Sequence, residues 1–164
     1  MVKIVLFLNS FFFAEHSIGQ IISTVKIADN VYVTAEIDEF KLAEHSIDTC
    51  AEGIGNKYIC RIDGKMWFGG GQELDIPRNK FYKLKLSYGN THLRLDISDM
   101  YNSSYEGLIY KDQFKWRSEG NIYFLNAAFS DGAAAYSVQW RIEKGKSVRT
   151  YIESDMAEFF IDIE

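Results

Sequence analysis

Between Ile122 and Ile142 two runs of apolar and small residues flank Asp131-Gly132, the dipeptide that most readily takes positive φ and turns a strand back on itself. After it, Tyr136, Val138, Trp140 and Ile142 fall on one face and Ser137, Gln139 and Arg141 on the other. Before it nearly every position is apolar or small, as in a strand covered on both sides. This pair predicts the central hairpin of an all-β domain. The same period of two recurs along the chain. Ile21–Ile27 is one run, and Val31, Val33, Ala35 and Ile37 alternate with Tyr32, Thr34 and Glu36 beyond the turn Asp29-Asn30. Tyr58–Ile62 and Lys65–Phe68 flank Asp63-Gly64 and predict a hairpin with a two-residue turn. In Phe81–Ser87, Tyr82, Leu84 and Leu86 alternate with Lys83 and Lys85; past Gly89-Asn90, Leu93, Leu95 and Ile97 alternate with His92, Arg94 and Asp96. That second hairpin sets its lysines to face Asp96 across the strands. Leu108–Trp116 joins the central run through Ser118–Asn121, and Lys144-Gly145-Lys146 leads into Ser147–Ile152, an edge strand guarded by Arg149.

No sustained 3.6-residue period competes with this pattern. The expectation is an antiparallel β-sandwich or barrel of about eight to ten strands with at most one or two short helices. One domain covers residues 1–164, with 1–24 a loosely attached or signal-like segment. A chain of 164 residues buries about two-thirds of its unfolded surface without staples. Met1–Ala14 is apolar but interrupted by Asn9-Ser10, and too short to span a bilayer as a helix. It is expected as a retained core or edge strand in a cytoplasmic protein, the alternative being a signal and a periplasmic or secreted location. The tail Glu153–Glu164 holds five acids and no base; a short helix from Asp155 and a strand from Phe159 fit it equally.

Composition narrows the chemistry. A net charge of −5 and a pI of about 5.3 disfavour a broad nucleic-acid surface and suit a basic partner. There is no His-x-x-x-His, no Cys-x-x-Cys and no nucleophile elbow, so no metal, cofactor or catalytic residue is assigned. Carboxylate pairs of the glycosidase kind depend on tertiary approach, which spacing does not set. Trp67, Trp116 and Trp140 lie in strand patterns and are expected to fill core. Cys50 and Cys60 could meet across a loop, but two free thiols are the plainer expectation. Gly69-Gly70-Gly71 lacks a following lysine and helix, and is expected as a flexible connection rather than a phosphate cradle. Ala14-Glu15-His16-Ser17-Ile18 echoes Ala43-Glu44-His45-Ser46-Ile47; adjacent Glu and His in an extended chain point apart, so no acid–base pair is expected.

Leu95-Asp-Ile-Ser-Asp-Met-Tyr-Asn102, Phe129-Ser-Asp-Gly-Ala with Tyr136-Ser-Val-Gln-Trp140, and Ser147-Val-Arg-Thr150 resemble a pattern of small bacterial immunity proteins associated with polymorphic toxins of the contact-dependent and Rhs types. The resemblance covers about residues 31–155. It implies stoichiometric binding to a cognate, basic toxin domain, and it carries over no binding residues. A carbohydrate-binding β-sandwich module is the alternative. The binding surface is expected in the polar stretch Ser98–Gly107, through Asp99, Met100, Tyr101, Tyr105 and Glu106, with Glu153, Asp155 and Glu158 of the acidic tail next. Tyrosine suits such a role because it buries much area with few rotors. Oligomeric state is left open.

Overall fold

A computed structural model describes residues 20–52, 56–70 and 74–154. Among them are ten strands: β1 Ile21–Ala28, β2 Val31–Glu39, β3 Ile47–Glu52, β4 Asn56–Ile62, β5 Asn79–Tyr88, β6 Thr91–Arg94, β7 Phe114–Glu119, β8 Ile122–Phe129, β9 Tyr136–Glu143 and β10 Lys146–Glu153. Helix is confined there to three-residue 3-10 turns at Leu42–Glu44, Lys111–Gln113 and Gly132–Ala134. Every strand pair is antiparallel. The order β1-β2-β5-β6 makes one sheet and β10-β9-β8-β7 the other, with β3-β4 a separate two-stranded ribbon. The fold is therefore an all-β sandwich rather than a closed barrel. The N-terminal stretch Met1–Ala14, the first copy of the Glu-His echo and the tail from Asp155 onward lie outside the described residues.

The alternation expected from sequence points the two sheets at each other. Val31, Val33, Ala35 and Ile37 of β2 and Leu84 and Leu86 of β5 meet Leu125, Ala127 and Phe129 of β8 and Tyr136, Val138, Trp140 and Ile142 of β9 in one buried cluster. Trp140, the largest fully buried side chain, donates from Nε1 to the carbonyl of Asp96 at 2.9 Å, and the Tyr136 hydroxyl donates to the carbonyl of Tyr101 at 2.9 Å. Both polar tips are thus satisfied by the segment that follows β6, as burial of an indole N–H or a phenol requires.

Several local expectations are corrected. In β5 the register slips between Glu36 and Ile37, leaving Tyr82 unpaired in a bulge. Phe81 therefore turns inward, and Tyr82 is 53% exposed rather than part of the core face. Lys83 and Lys85 do not face Asp96; both grip Glu36 on β2, at 2.7 and 2.8 Å, because β2 is the neighbour with the longer shared register. Asp131-Gly132 is no two-residue turn. Ser130 and Gly132 take φ of 61° and 53° around an extended Asp131, and a 3-10 turn delays β9 until Tyr136. Residues Lys65–Phe68 form no strand: one bridge joins Ile62 to Lys65, and β4 pairs instead with β3. The expected strand Leu108–Trp116 begins only at Phe114. Arg149 does not stand guard in solvent; it donates to the Ser98 carbonyl at 2.6 Å and lies 3.6 Å from Asp96.

The sandwich has unlike ends. Two-residue turns at Asp29-Asn30, Gly89-Asn90, Gly120-Asn121 and Lys144-Gly145 close one of them. The ring contact of Tyr88 with Trp116 (5.6 Å) near those turns, and that of Phe81 with Phe129 (5.0 Å) away from them, put the turns of both sheets at the same end. The long connections 40–78, 95–113 and 130–135 consequently gather at the other.

Candidate functional site

The elaborated end owes its shape to two asparagines. Asn79, buried at the start of β5, accepts at Oδ1 from the backbone and hydroxyl of Ser103 (3.0 and 3.3 Å) and donates from Nδ2 to the Ser104 carbonyl (3.0 Å). Asn102 accepts at Oδ1 from the backbone N–H of Arg78 and Asn79 (2.8 and 3.3 Å) and donates to the Gly69 carbonyl (2.7 Å). Gln113 adds a bond to the Ser103 carbonyl at 2.8 Å. The stretch Ser98–Gly107, polar by composition, is therefore bolted to the sandwich rather than loose.

Gly69 belongs to the same lock. Its φ is +102°, and a Cβ there would stand 2.3 Å from the Tyr101 carbonyl oxygen. The close approach lets Phe68 donate to the Asp99 carbonyl (2.9 Å) and Tyr101 to the Phe68 carbonyl (3.0 Å). Gly69 is thus pinned, contrary to the flexible connection expected of it, because only a residue without a side chain admits this contact, while Gly71 lies outside the described residues.

These bonds sort the proposed binding residues. Met100 is 2% exposed and belongs to the sandwich core. Tyr101 is half-buried, edge-on to Phe40 and Trp67 at ring distances of 5.7 Å, and its hydroxyl is pushed up to about 12 by burial, with Asp63 and Asp99 adding to the shift. Asp99 takes φ of 65° to make the turn, with its carboxylate 4.0 Å from Lys65. None of the three offers a free face of the loop. Tyr105 and Glu106 do. Tyr105, at 76% exposure, carries the Arg78 guanidinium 3.9 Å above its ring, and Glu106 accepts from the Tyr110 hydroxyl. That bond raises the Tyr110 phenol above its ordinary value. Glu153 ends the edge strand β10, and it lines neither of the clefts beside Tyr105. Asp155 and Glu158 are outside the described residues.

The Tyr105–Arg78 stack forms a ridge between two shallow clefts. One, of about 170 Å³, runs past Asp75, Ile76, Asn102 and Asp131; the other, of about 230 Å³, past Ile21, Asp38, Glu39 and Glu106. Two clefts with acidic residues in their lining thus flank a single exposed aromatic. Arg78 was not foreseen, since a residue following the turn proline reads as loop; Asn79 was hidden because a buried asparagine has no periodic signature.

Beside this end lies the ribbon. Cys50 and Cys60 are bonded, with Cα atoms 5.7 Å apart, which corrects the expectation of free thiols. The β4 bulge at Cys60 makes the geometry, since it carries that residue diagonally toward Cys50. Ile59 and Ile62 are buried with Phe40 against Ile47, Trp67 and Tyr101. Polar contacts complete the junction. His45 stacks on Phe40, bonds Asp63 through Nδ1 at 2.7 Å and meets Lys80 Nζ through Nε2 at 3.2 Å, while Glu44 lies 3.8 Å from the same lysine. Lysine can only donate, so Nε2 accepts and Nδ1–H donates to Asp63. Glu44 and His45, expected to diverge, converge on Lys80 because the 3-10 turn breaks the extended geometry between them. The His45 bond and the backbone N–H of Ser46 hold the Asp63 carboxyl below the usual carboxylate range. Both ring nitrogens of His45 are engaged, which leaves no lone pair for general-base work. Among the described residues no group of three His, Cys, Asp or Glu could hold a metal ion, and no helix is long and apolar enough to cross a membrane.

No family model matches this chain, and no curated protein or solved structure matches it either.

Proposed function

We propose that this chain is a stoichiometric binding protein that masks a basic partner domain, in the manner of the toxin-neutralising immunity proteins its sequence resembles, and that the Tyr105–Arg78 ridge is the centre of its binding surface. The observation that carries the reading is the state of Tyr105: 76% exposed, yet standing on a loop held by Asn79, Asn102 and Gln113. An exposed aromatic on a rigid support binds without a large ordering cost, which is the property shared by hot-spot tyrosines. Asp38, Glu39 and Glu106 on one side and Asp75 and Asp131 on the other give the ridge a rim suited to lysine and arginine. Together with the net charge of −5, that rim favours fast encounter with a cationic domain.

A sugar platform is less well supported. Trp140 is fully buried, Trp67 donates to the Ile59 carbonyl at 3.0 Å, and Trp116 stacks on Tyr123 at 5.1 Å, so each tryptophan is engaged within the protein. The Cys50–Cys60 bond supports an oxidising compartment, periplasmic or extracellular, over the cytoplasmic location expected first.

The test is to read the neighbouring reading frames for a toxin C-terminal domain and to titrate the purified protein against it by calorimetry. A one-to-one complex is expected, with Tyr105→Ala weakening it by about 2 kcal/mol and Glu106→Lys slowing association. Absence of a complex with any neighbouring toxin domain, or equal affinity of a folded Tyr105→Ala variant, overturns the reading.

A further inference from the structure

The ribbon has two faces, and the sandwich uses only one. Ile59 and Ile62 turn inward, while Asp48, Cys50, Tyr58, Cys60, Arg61 and Met66 line an open groove of about 500 Å³ on the outer side. Met66 is 70% exposed and Tyr58 37%, with the disulfide between them and the groove floor. Two features make this face more than an exposed apolar patch. The disulfide fixes the ribbon's pairing, so the groove is preformed. The charges at its margin are also balanced: Asp48 and Arg61 stand opposite each other in the register, both exposed, and no salt bridge joins either of them among the described residues.

From this we infer that the outer face of the ribbon is the surface through which two copies of the chain associate. A molecule carrying a net charge of −5 repels its copies over most approaches, and the opposed Asp48 and Arg61 beside an apolar middle give an approach with less of that repulsion. The arrangement is self-complementary. A two-fold axis running along the ribbon between β3 and β4 lays Tyr58 of each copy over the other's Cys50, its partner in the register. It also sets Asp48 of each copy against Arg61 of the other, the reciprocal contact that an isologous dimer demands. The seven lining residues fall well short of the roughly 20–30 a side found in stable complexes, so the association is weak, with a dissociation constant of about 0.1–1 mM. This inference uses none of the ridge residues and stands or falls apart from the toxin reading.

Sedimentation velocity on the oxidised full chain, from about 10 µM to 1 mM, reads the equilibrium directly. A reversible monomer–dimer system is expected. Asp48→Arg and Arg61→Asp should each weaken it at least tenfold, roughly, and Met66→Lys should abolish it; the double exchange Asp48→Arg/Arg61→Asp should restore the dimer to within about threefold. All three positions are exposed, so circular dichroism should show every variant folded. A chain that remains monomeric throughout overturns the inference. So does a dimer that survives both single reversals, or one that the double exchange fails to restore. If instead Met66→Lys leaves the chain monomeric as before and lowers toxin affinity, the face belongs to that partner and the dimer is refuted.

Discussion

Among the described residues, eighteen buried ones, drawn from both sheets and, at Leu95, Met100 and Ile109, from the connection between β6 and β7, form one cluster in the sandwich; the ribbon shares three, Phe40, Ile59 and Ile62, with the loops around it. A two-stranded ribbon with so small a buried face is marginal in water. It persists because other kinds of interaction are recruited: a disulfide, the His45–Asp63 and His45–Lys80 bonds, and the Trp67 donor to Ile59. The difference teaches where each kind of force suffices. Where two sheets face each other, apolar alternation alone sets the architecture. Where one face is open, covalent and polar contacts must substitute for the missing layer.

The comparison can be broken first from the sandwich side. Trp140→Ala empties the middle of the main cluster and should cost about 3–5 kcal/mol in urea unfolding, with all probes shifting together. A loss under about 1 kcal/mol would mean that the core does not depend on it. Removing the disulfide by Cys50→Ser/Cys60→Ser should cost about 2–3 kcal/mol for so short a loop, and the cost should be local. Hydrogen exchange should accelerate at β3–β4 amides while β8 and β9 remain protected; uniform acceleration would show that ribbon and sandwich unfold as one unit. Asn79→Ala leaves Ser103 and the Ser104 carbonyl without their partner, at about 1–3 kcal/mol. Its sharper effect is on the loop, where Tyr105 should lose its fixed position and partner affinity should fall even in the folded variant.

The smallest effect is set by acid. The Asp63 carboxyl is held low by its bonds to His45 and Ser46, so its contribution to folding is present above the unfolded value of about 4 and is lost as pH falls through the lower folded value. Exchange at the Ser46–Asp63 end of the ribbon should therefore rise below about pH 4, ahead of the sandwich, and Asp63→Asn should flatten that limb. An acid limb unchanged in Asp63→Asn would assign it to another carboxylate, with Glu36 between Lys83 and Lys85 the first to examine, since its carboxyl is also held low.

Much of the sandwich is readable in the chain because strands with one buried face write their register in every second residue. The turns at Asp29-Asn30 and Gly89-Asn90 and the inward set Tyr136, Val138, Trp140 and Ile142 follow from that alone. What escaped is what alternation does not encode. A bulge at Tyr82 shifts phase by one residue without changing composition. Cys50 and Cys60 meet only because β4 bulges and pairs with β3 rather than with Lys65–Phe68. Ser98–Gly107 reads as a solvent loop, yet Met100 and Ser103 are buried, since the Tyr101 carbonyl in this stretch serves Tyr136 and Asn79 holds Ser103. Of the candidate site, Tyr105 and Glu106 were visible as an exposed aromatic and acid. Arg78 and Asn79 were not, because their roles arise from a contact across about two dozen residues of chain.

The side seams of the sandwich carry one further consequence. Ser147 on β10 donates to the Arg94 carbonyl at 3.0 Å, and Ser23 on β1 exchanges bonds with the backbone of Ile109. The Arg94 carbonyl at the end of β6, and the carbonyl and amide of Ile109 beside β1, are thereby occupied by the molecule's own side chains. A strand from a misfolded neighbour must displace these side-chain bonds before it can run along the seams. Heating should accordingly produce soluble unfolding before fibrillar deposits, and replacing Ser23 and Ser147 by alanine should shorten the lag before thioflavin-positive aggregates form.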